Sequence, residues 1–193
     1  MKMGKIIVTA FITLDGVIQA PGLPDEDRDG GFESGGWTQR YPDPLVDQRT
    51  TRSVMEAEAL LIGRRTYELF ASYWPGADPQ DPRTAQLNSQ PKYVASRTLQ
   101  AAGWNNSTLL RGNVTEQVAQ LKERHDHISI WGSSQLIATL LPAGLIDEFV
   151  LMTYPIVLGG GKRLFNNATP LGLELIDTTT AETGVVISTY QRA

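Results

Sequence analysis

The stretch Ile128-Ser129-Ile130-Trp131-Gly132-Ser133-Ser134-Gln135-Leu136 constrains this chain more than any other. Ile128, Ile130 and Trp131 read as a short strand. A glycine and two serines follow, and then Leu136, Ile137, Leu140 and Leu141 recur at helical spacing. A strand that ends in a Gly-Ser-Ser turn and opens a helix brings free backbone N–H groups to the positive end of the helix, where an anion can bind. Glycine lets a phosphate approach the backbone, and a serine can cap the helix and donate its hydroxyl to the same phosphate. The same residue types also suit an ordinary strand-to-helix turn, so the rest of the chain has to decide.

The plan recurs. Leu60-Leu61-Ile62 reads as a buried strand, followed by Gly63-Arg64-Arg65-Thr66 and a short helix with Tyr67, Leu69 and Phe70 that ends before Pro75. Arginines in such a turn suit forked contacts with phosphate oxygens. After a loop from Gly76 to Gln90, Lys92 to Ala95 reads as a strand that delivers Ser96-Arg97-Thr98. Thr108 to Leu110 predicts a short strand, and Val114 to Arg124 an amphipathic helix. The near-continuous apolar run Lys5 to Ile12 predicts a central strand covered on both faces, ending in Thr13-Leu14-Asp15-Gly16. Asp43-Pro44 starts a helix predicted to reach about Ala59. Leu145 to Tyr154 reads as a strand, and Leu173 to Thr179 with Val185 to Gln191 as a terminal antiparallel pair.

Several single residues carry two readings. Residues 19–42 form a long loop rich in Asp, Gly and Pro, of a length often used as a lid or binding loop. In it, Trp37 and Tyr41 offer a flat surface to an aromatic ligand or anchor the loop on the core. Asp47 lies two helical turns before Val54 and shares its face. If that face looks inward, Asp47 is a cleft carboxylate of raised pKa suited to proton delivery; otherwise it is a first-turn acid favoured by the helix dipole. Asp15 suits the turn it sits in. His125 and His127 have no evident third metal ligand and read as part of a solvated turn, so no metal site is expected. The run Ile156 to Arg163 departs from a phosphate-binding P-loop, because Ile156 stands where the first glycine belongs and Arg163 replaces the Ser/Thr. It reads as a flexible loop beside the sheet edge.

With 193 residues, 41% of them hydrophobic, the chain suits one domain spanning 1–193. A net charge of −4 argues against a general nucleic-acid or anionic-membrane surface. The absence of cysteine excludes disulfides, a thiolate nucleophile and cysteine-ligated metal. The start Met1-Lys2-Met3-Gly4-Lys5 shows no signal-peptide pattern, and no apolar run has the length of a membrane span, so a cytoplasmic protein is expected.

Alternating strands and helices, with ligand-type turns at strand carboxyl ends, predict an α/β sheet covered on both faces. The Gly-x-Gly-x-x-Gly fingerprint is absent from the first strand, which sets the chain apart from Rossmann dinucleotide domains. The ordered set Thr13-Leu14-Asp15-Gly16, Leu61 to Glu68, Val94 to Arg97, Trp131 to Leu136, Leu145 to Glu148 and Pro155 to Phe165 resembles the dihydrofolate reductase-like superfamily. Within it the chain is most similar to the branch named for the reductase domain of the bifunctional riboflavin-biosynthesis deaminase-reductase.

The resemblance implies a three-layer α/β/α fold with a central mixed, mostly parallel sheet and a C-terminal antiparallel pair. It implies NADPH as cofactor and a homodimer. Gly63, Arg64, Arg65 and Thr66 would hold phosphate and adenosine-side groups, with Ser96 and Arg97 near the 2′-phosphate. Gly132, Ser133, Ser134, Gln135 and Leu136 would take the pyrophosphate. Asp15 and its turn, with Trp37 in the following loop, would border nicotinamide and substrate. Asp47 stands 16 residues before Gly63, the spacing at which folate reductases carry a carboxylate, and would be the proton donor. The chain departs from these relatives in its Gly-Ser-Ser turn and in offering only Arg40, Lys162 and Arg163 as candidates to clamp a substrate phosphate. The expected function is an NADPH-dependent reductase that passes hydride to a small polar heterocyclic or carbonyl substrate, of the 5-amino-6-(5-phosphoribosylamino)uracil reductase or dihydrofolate reductase kind. The alternative is a non-catalytic NADP(H)-binding module or sensor.

Overall fold

Strand β1 (Lys5–Thr13) lies inside an eight-stranded sheet, paired in parallel with a strand on either side. The computed structural model describes residues 3–165 and 170–193; Met1 and Lys2, at the start of the expected leaderless N-terminus, lie outside them. After β1 come α1 (Pro44–Met55), β2 (Ala59–Gly63), α2 (Arg64–Tyr73), α3 (Pro82–Ser89), β3 (Lys92–Ala95) and β4 (Ser107–Leu110). Then follow α4 (Val114–Leu121), β5 (His127–Trp131), α5 (Ser134–Leu140), β6 (Glu148–Tyr154), β7 (Leu173–Thr180) and β8 (Val186–Arg192). The sheet order is β4-β3-β2-β5-β1-β6-β8-β7, and only the β6/β8 and β8/β7 pairs are antiparallel. No helix among the described residues is long and apolar enough to cross a membrane.

Alternation along β1 sorts its two faces. Ile6, Val8, Ala10 and Ile12 are buried with Val118 and Leu121 of α4 and Leu136, Ile137 and Leu140 of α5. On the opposite face, Val54 of α1, Tyr67 of α2 and Leu87 of α3 pack on Leu60, Ile62, Val94 and Trp131. Each such fully buried aliphatic side chain contributes about 1.5–3 kcal/mol.

Several boundaries differ from the sequence expectation. Helix α1 stops at Met55, because Glu58 N–H already bonds to the His127 carbonyl at 3.0 Å and Ala59 enters the sheet. The Gly76–Gln90 loop contains α3, opened by Asp81 as N-cap and Pro82 as first helical residue, the same signal that marks α1. Lys92, the first residue of β3, is wholly buried and seats the end of α3: its Nζ donates to the carbonyls of Leu87 (2.7 Å) and Gln90 (2.8 Å). His127 opens β5 rather than lying in a solvated turn, and His125 Nε2 bonds the Tyr93 hydroxyl at 2.9 Å.

The amino end of the sheet is locked by Asp147. Its carboxylate accepts from Ile6 N–H at 2.7 Å and from Lys122 Nζ at 2.7 Å, while the neighbouring Glu148 pairs with Lys5. Lys122 is almost fully buried, so removing its partner leaves a poorly solvated charge. Asp147→Ala is expected to cost about 2–3 kcal/mol in urea unfolding, with m unchanged.

Candidate active site

The carboxyl ends of β2, β3, β4 and β5 open into one cleft of about 650 Å³. Gly63, Arg64, Arg65 and Thr66 line it from the β2–α2 turn, and Ser96, Arg97 and Thr98 from the end of β3. Ser133, Ser134, Gln135 and Leu136 line it from the β5–α5 turn. Three separate stretches singled out in the sequence therefore meet. Gly112, Asn113, Val114 and Thr115 complete the wall, which the sequence analysis missed. Its signal was present: Asn113 caps α4 through Oδ1, which accepts from Glu116 N–H, so Gly-Asn after a strand repeats the strand-turn-helix plan.

The β5–α5 turn is built differently from its expected capping role. Gly132 (φ +53°) and Ser133 (φ +58°) both adopt the left-handed conformation. A Cβ at Gly132 would lie 3.1 Å from Thr66 Oγ1, so glycine is what lets the two turns touch. Ser133 pays the strain of a positive φ. Its hydroxyl does not cap α5; it accepts from Gly63 N–H at 2.9 Å and lies 3.1 Å from Thr66 Oγ1 and 2.9 Å from the Trp131 carbonyl. Ser133 thus joins the two ligand-type turns to each other.

The cleft carries four cationic residues, Arg64, Arg65, Arg97 and Lys162, against one carboxylate, Asp27. This local excess contrasts with the net charge of −4 for the chain. Arg64 pairs within its helix with Glu68 at 3.2 Å. Arg65 and Lys162 are held by the loop after β1: Arg65 pairs with Asp29, and Lys162 with Asp27 and, at 3.1 Å, with Asp29. Hydrogen bonds from Arg65 and then Lys162 hold the Asp29 carboxyl down at about 2. Arg97 is exposed and has no ion pair among the described residues. Ser96 is buried, with Oγ accepting from Thr98 and Leu99 N–H, so it shapes the turn that presents Arg97.

The three remaining expected site residues, Asp47, Trp37 and Asp15, do not line this cleft. Asp47 faces outward: its side chain is 68% exposed and accepts from Arg83 Nη1 of α3 at 2.8 Å, outside the cleft. The inward face of α1 is Val46, Thr50, Ser53 and Val54, and Thr50 Oγ1 meets Met152 there. Trp37 is an anchor, only 3% exposed, donating from Nε1 to the Gln19 carbonyl and packing edge-on against Tyr154. Asp15 is committed to the fold. Its carboxylate accepts from the Thr13 hydroxyl (2.6 Å), Leu158 N–H (3.2 Å) and Gly159 N–H (2.8 Å), which ties down the glycine run expected to be a flexible loop. Within that run Gly161 (φ +118°) presses on Phe32 and Val17, where a Cβ would come within 2.8 Å.

A model of the RibD C-terminal domain matches residues 4–187. The chain belongs to that family. The uncharacterized protein YyaP of Bacillus subtilis (strain 168) is 32% identical to it over 98% of this chain and 96% of YyaP. Among solved structures, a protein from Shewanella sp. PV-4 titled "Putative riboflavin biosynthesis protein" superposes with a TM-score of 0.76 at 25% identity, covering 98% of this chain and 99% of that one. A dihydrofolate reductase from Enterococcus faecalis, complexed with NADP(H) and RAB-propyl, shares the fold with a TM-score of 0.62 at 15% identity over 98% and 97% of the two chains. The dihydrofolate reductase-like architecture expected from the sequence is thereby confirmed, and the RibD C-terminal domain family supports a reductase-like role.

Two outcomes follow from this geometry. Ser133→Ala leaves Gly63 N–H without its acceptor and is expected to lower stability by about 1–2 kcal/mol in denaturant unfolding. For Asp15, the Thr13 hydroxyl first, helped by Gly159 and Leu158 N–H, lowers the carboxyl from 3.8 to about 2. A depressed folded value means the contribution, about 1–2 kcal/mol, is complete above the ordinary carboxylate range and is lost as pH falls through about 2. Asp15→Asn is expected to flatten the acid limb of stability against pH.

Proposed function

We propose that this RibD-type chain is an NADPH-dependent reductase, folded as one domain, acting in the cytoplasm on a small polar heterocyclic or carbonyl substrate. The observation that carries this is the convergence of four polar strand ends on one cationic cleft in which Arg97 has no ion pair among the described residues. The donor set suits a dinucleotide phosphate: guanidinium forks at Arg64 and Arg97, hydroxyls at Thr66 and Ser134, and a Gly132 backbone that a side chain would obstruct. Arg64, Thr66, Ser134 and Gln135 would hold the pyrophosphate side, and Arg97 the 2′-phosphate. When bound, the reduced nicotinamide supplies the hydride. The chain's own part is to bind, to orient and to neutralise phosphate charge.

The outward position of Asp47 favours solvent water, not that carboxylate, as the proton source. Asp47→Asn is expected to change kcat by less than about twofold, because this carboxylate lies outside the cleft, paired with Arg83 on the far side of α1. A homodimer fits the edge strand β7, which leaves Leu175 and Ile176 half exposed.

Titration with NADPH, followed through Trp131 beside the turn, tests the cofactor assignment, with NADH as control. Binding in the micromolar range is expected, and Arg97→Ala should weaken NADPH about tenfold while leaving NADH unchanged. A folded protein that binds neither nucleotide would overturn the proposal. One observation favours the second reading, a binding module without turnover: Asp27, the single carboxylate on the cleft wall, is committed to Lys162. NADPH binding without oxidation across pterin, pyrimidine and carbonyl substrates would establish it.

A further inference from the structure

A second cavity, also of about 650 Å³, lies between α1 and the amino-terminal half of the sheet, away from the strand ends that form the cleft. Its walls are polar where a core would be apolar. Two of its charge pairs are closed: Arg52 Nε bonds Glu56 at 2.7 Å, and Glu148 pairs with Lys5. Two charges remain. Arg49, half-buried on α1, bonds the Ser53 hydroxyl at 2.7 Å and makes no ion pair among the described residues; burial pushes its guanidinium below the usual arginine range, against the attraction of Glu56, Asp177 and Glu148. The exposed Asp177 side chain on β7 makes neither a hydrogen bond nor an ion pair among the described residues.

Asp177 reaches this cavity through a defect in the sheet. Leu175 pairs with Tyr190 and Asp177 with Thr189, so Ile176 is an extra residue in the β7/β8 ladder. In a regular ladder Ile176 would stand opposite Thr189 and the cavity wall would be apolar there. The bulge exchanges it for a carboxylate, and bulges commonly re-aim a side chain beside a functional site. A half-buried guanidinium without an ion pair is costly unless something satisfies it.

We propose that this cavity binds a small zwitterionic molecule, its acid group on Arg49 and its amino group on Asp177. The site is independent of the nucleotide cleft, sharing no lining residue with it.

The test uses the whole protein and the ω-amino carboxylate series from glycine to 6-aminohexanoate, with hexanoate and hexylammonium as single-charge controls. Thermal unfolding is expected to rise by about 3 °C at about 10 mM for the members whose length spans the two charges, and not for either control. Arg49→Gln and Asp177→Asn should each abolish that rise. Arg49→Gln should also raise the melting temperature of the ligand-free protein, since it removes an unpaired half-buried charge; a purely structural arginine would give a fall. No response to any member overturns the proposal, as does a response that survives both substitutions. A melting temperature that climbs with protein concentration, without any response to the series, would assign the cavity to contact between two copies and also overturn it.

Discussion

The cleft depends on one hydroxyl. Ser133 Oγ takes the Gly63 N–H that would otherwise stand free at the start of α2, and it lies against Thr66 from the neighbouring turn. β2 and β5 are adjacent in the sheet, but adjacency alone would leave their two turns to diverge. The bond holds them together, and it exists because Gly132 and Ser133 both accept positive φ. Glycine takes this conformation freely; the strain at Ser133, on the order of 1–2 kcal/mol, is offset by its hydrogen bonds and by burial of the strands beneath. Strain of this kind persists only where its surroundings over-determine it, and those surroundings here are the carboxyl ends of the central strands.

Charge is distributed with the same economy. The chain is acidic overall, yet its cations gather at the strand ends, and the acidic loop after β1 folds back onto two of them. Asp27 and Asp29 hold Arg65 and Lys162, while Arg97 at the end of β3 has no ion pair among the described residues. The loop is itself seated from inside: Trp37 lies against Tyr154, and the Gln19 carboxamide donates to the Asp27 and Asp29 carbonyls. Aromatic packing and amide bonds thus position carboxylates that compensate the cleft, so the length of loop 19–42 serves the electrostatics of the site.

The architecture and the polar strand ends of the cleft were legible because they rest on local patterns. Apolar runs of strand length, glycine at strand ends and hydroxyl or guanidinium residues just beyond them depend on neighbours a few positions away. Gly63 to Thr66, Ser96, Arg97 and Ser133 to Leu136 accordingly lie together as the order of motifs implied. The α3 signal at Asp81-Pro82 and the Gly112-Asn113 turn were equally local and were overlooked.

What the sequence by itself determined is the set of strands, the order of their polar turns and the family to which that order belongs. Tertiary structure alone decided which way individual side chains face. Asp47 and Val54 share helical spacing, yet the contact of α1 with α3 turns the first toward Arg83 and the second into the core. Trp37 and Asp15 were open to ligand or fold, and packing against Tyr154 and the 158–159 backbone took both for the fold. One inserted residue in β7 likewise decides that Asp177, not Ile176, faces the second cavity. Periodicity records which residues share a face; only the neighbours packed on that face decide whether it meets solvent, core or ligand.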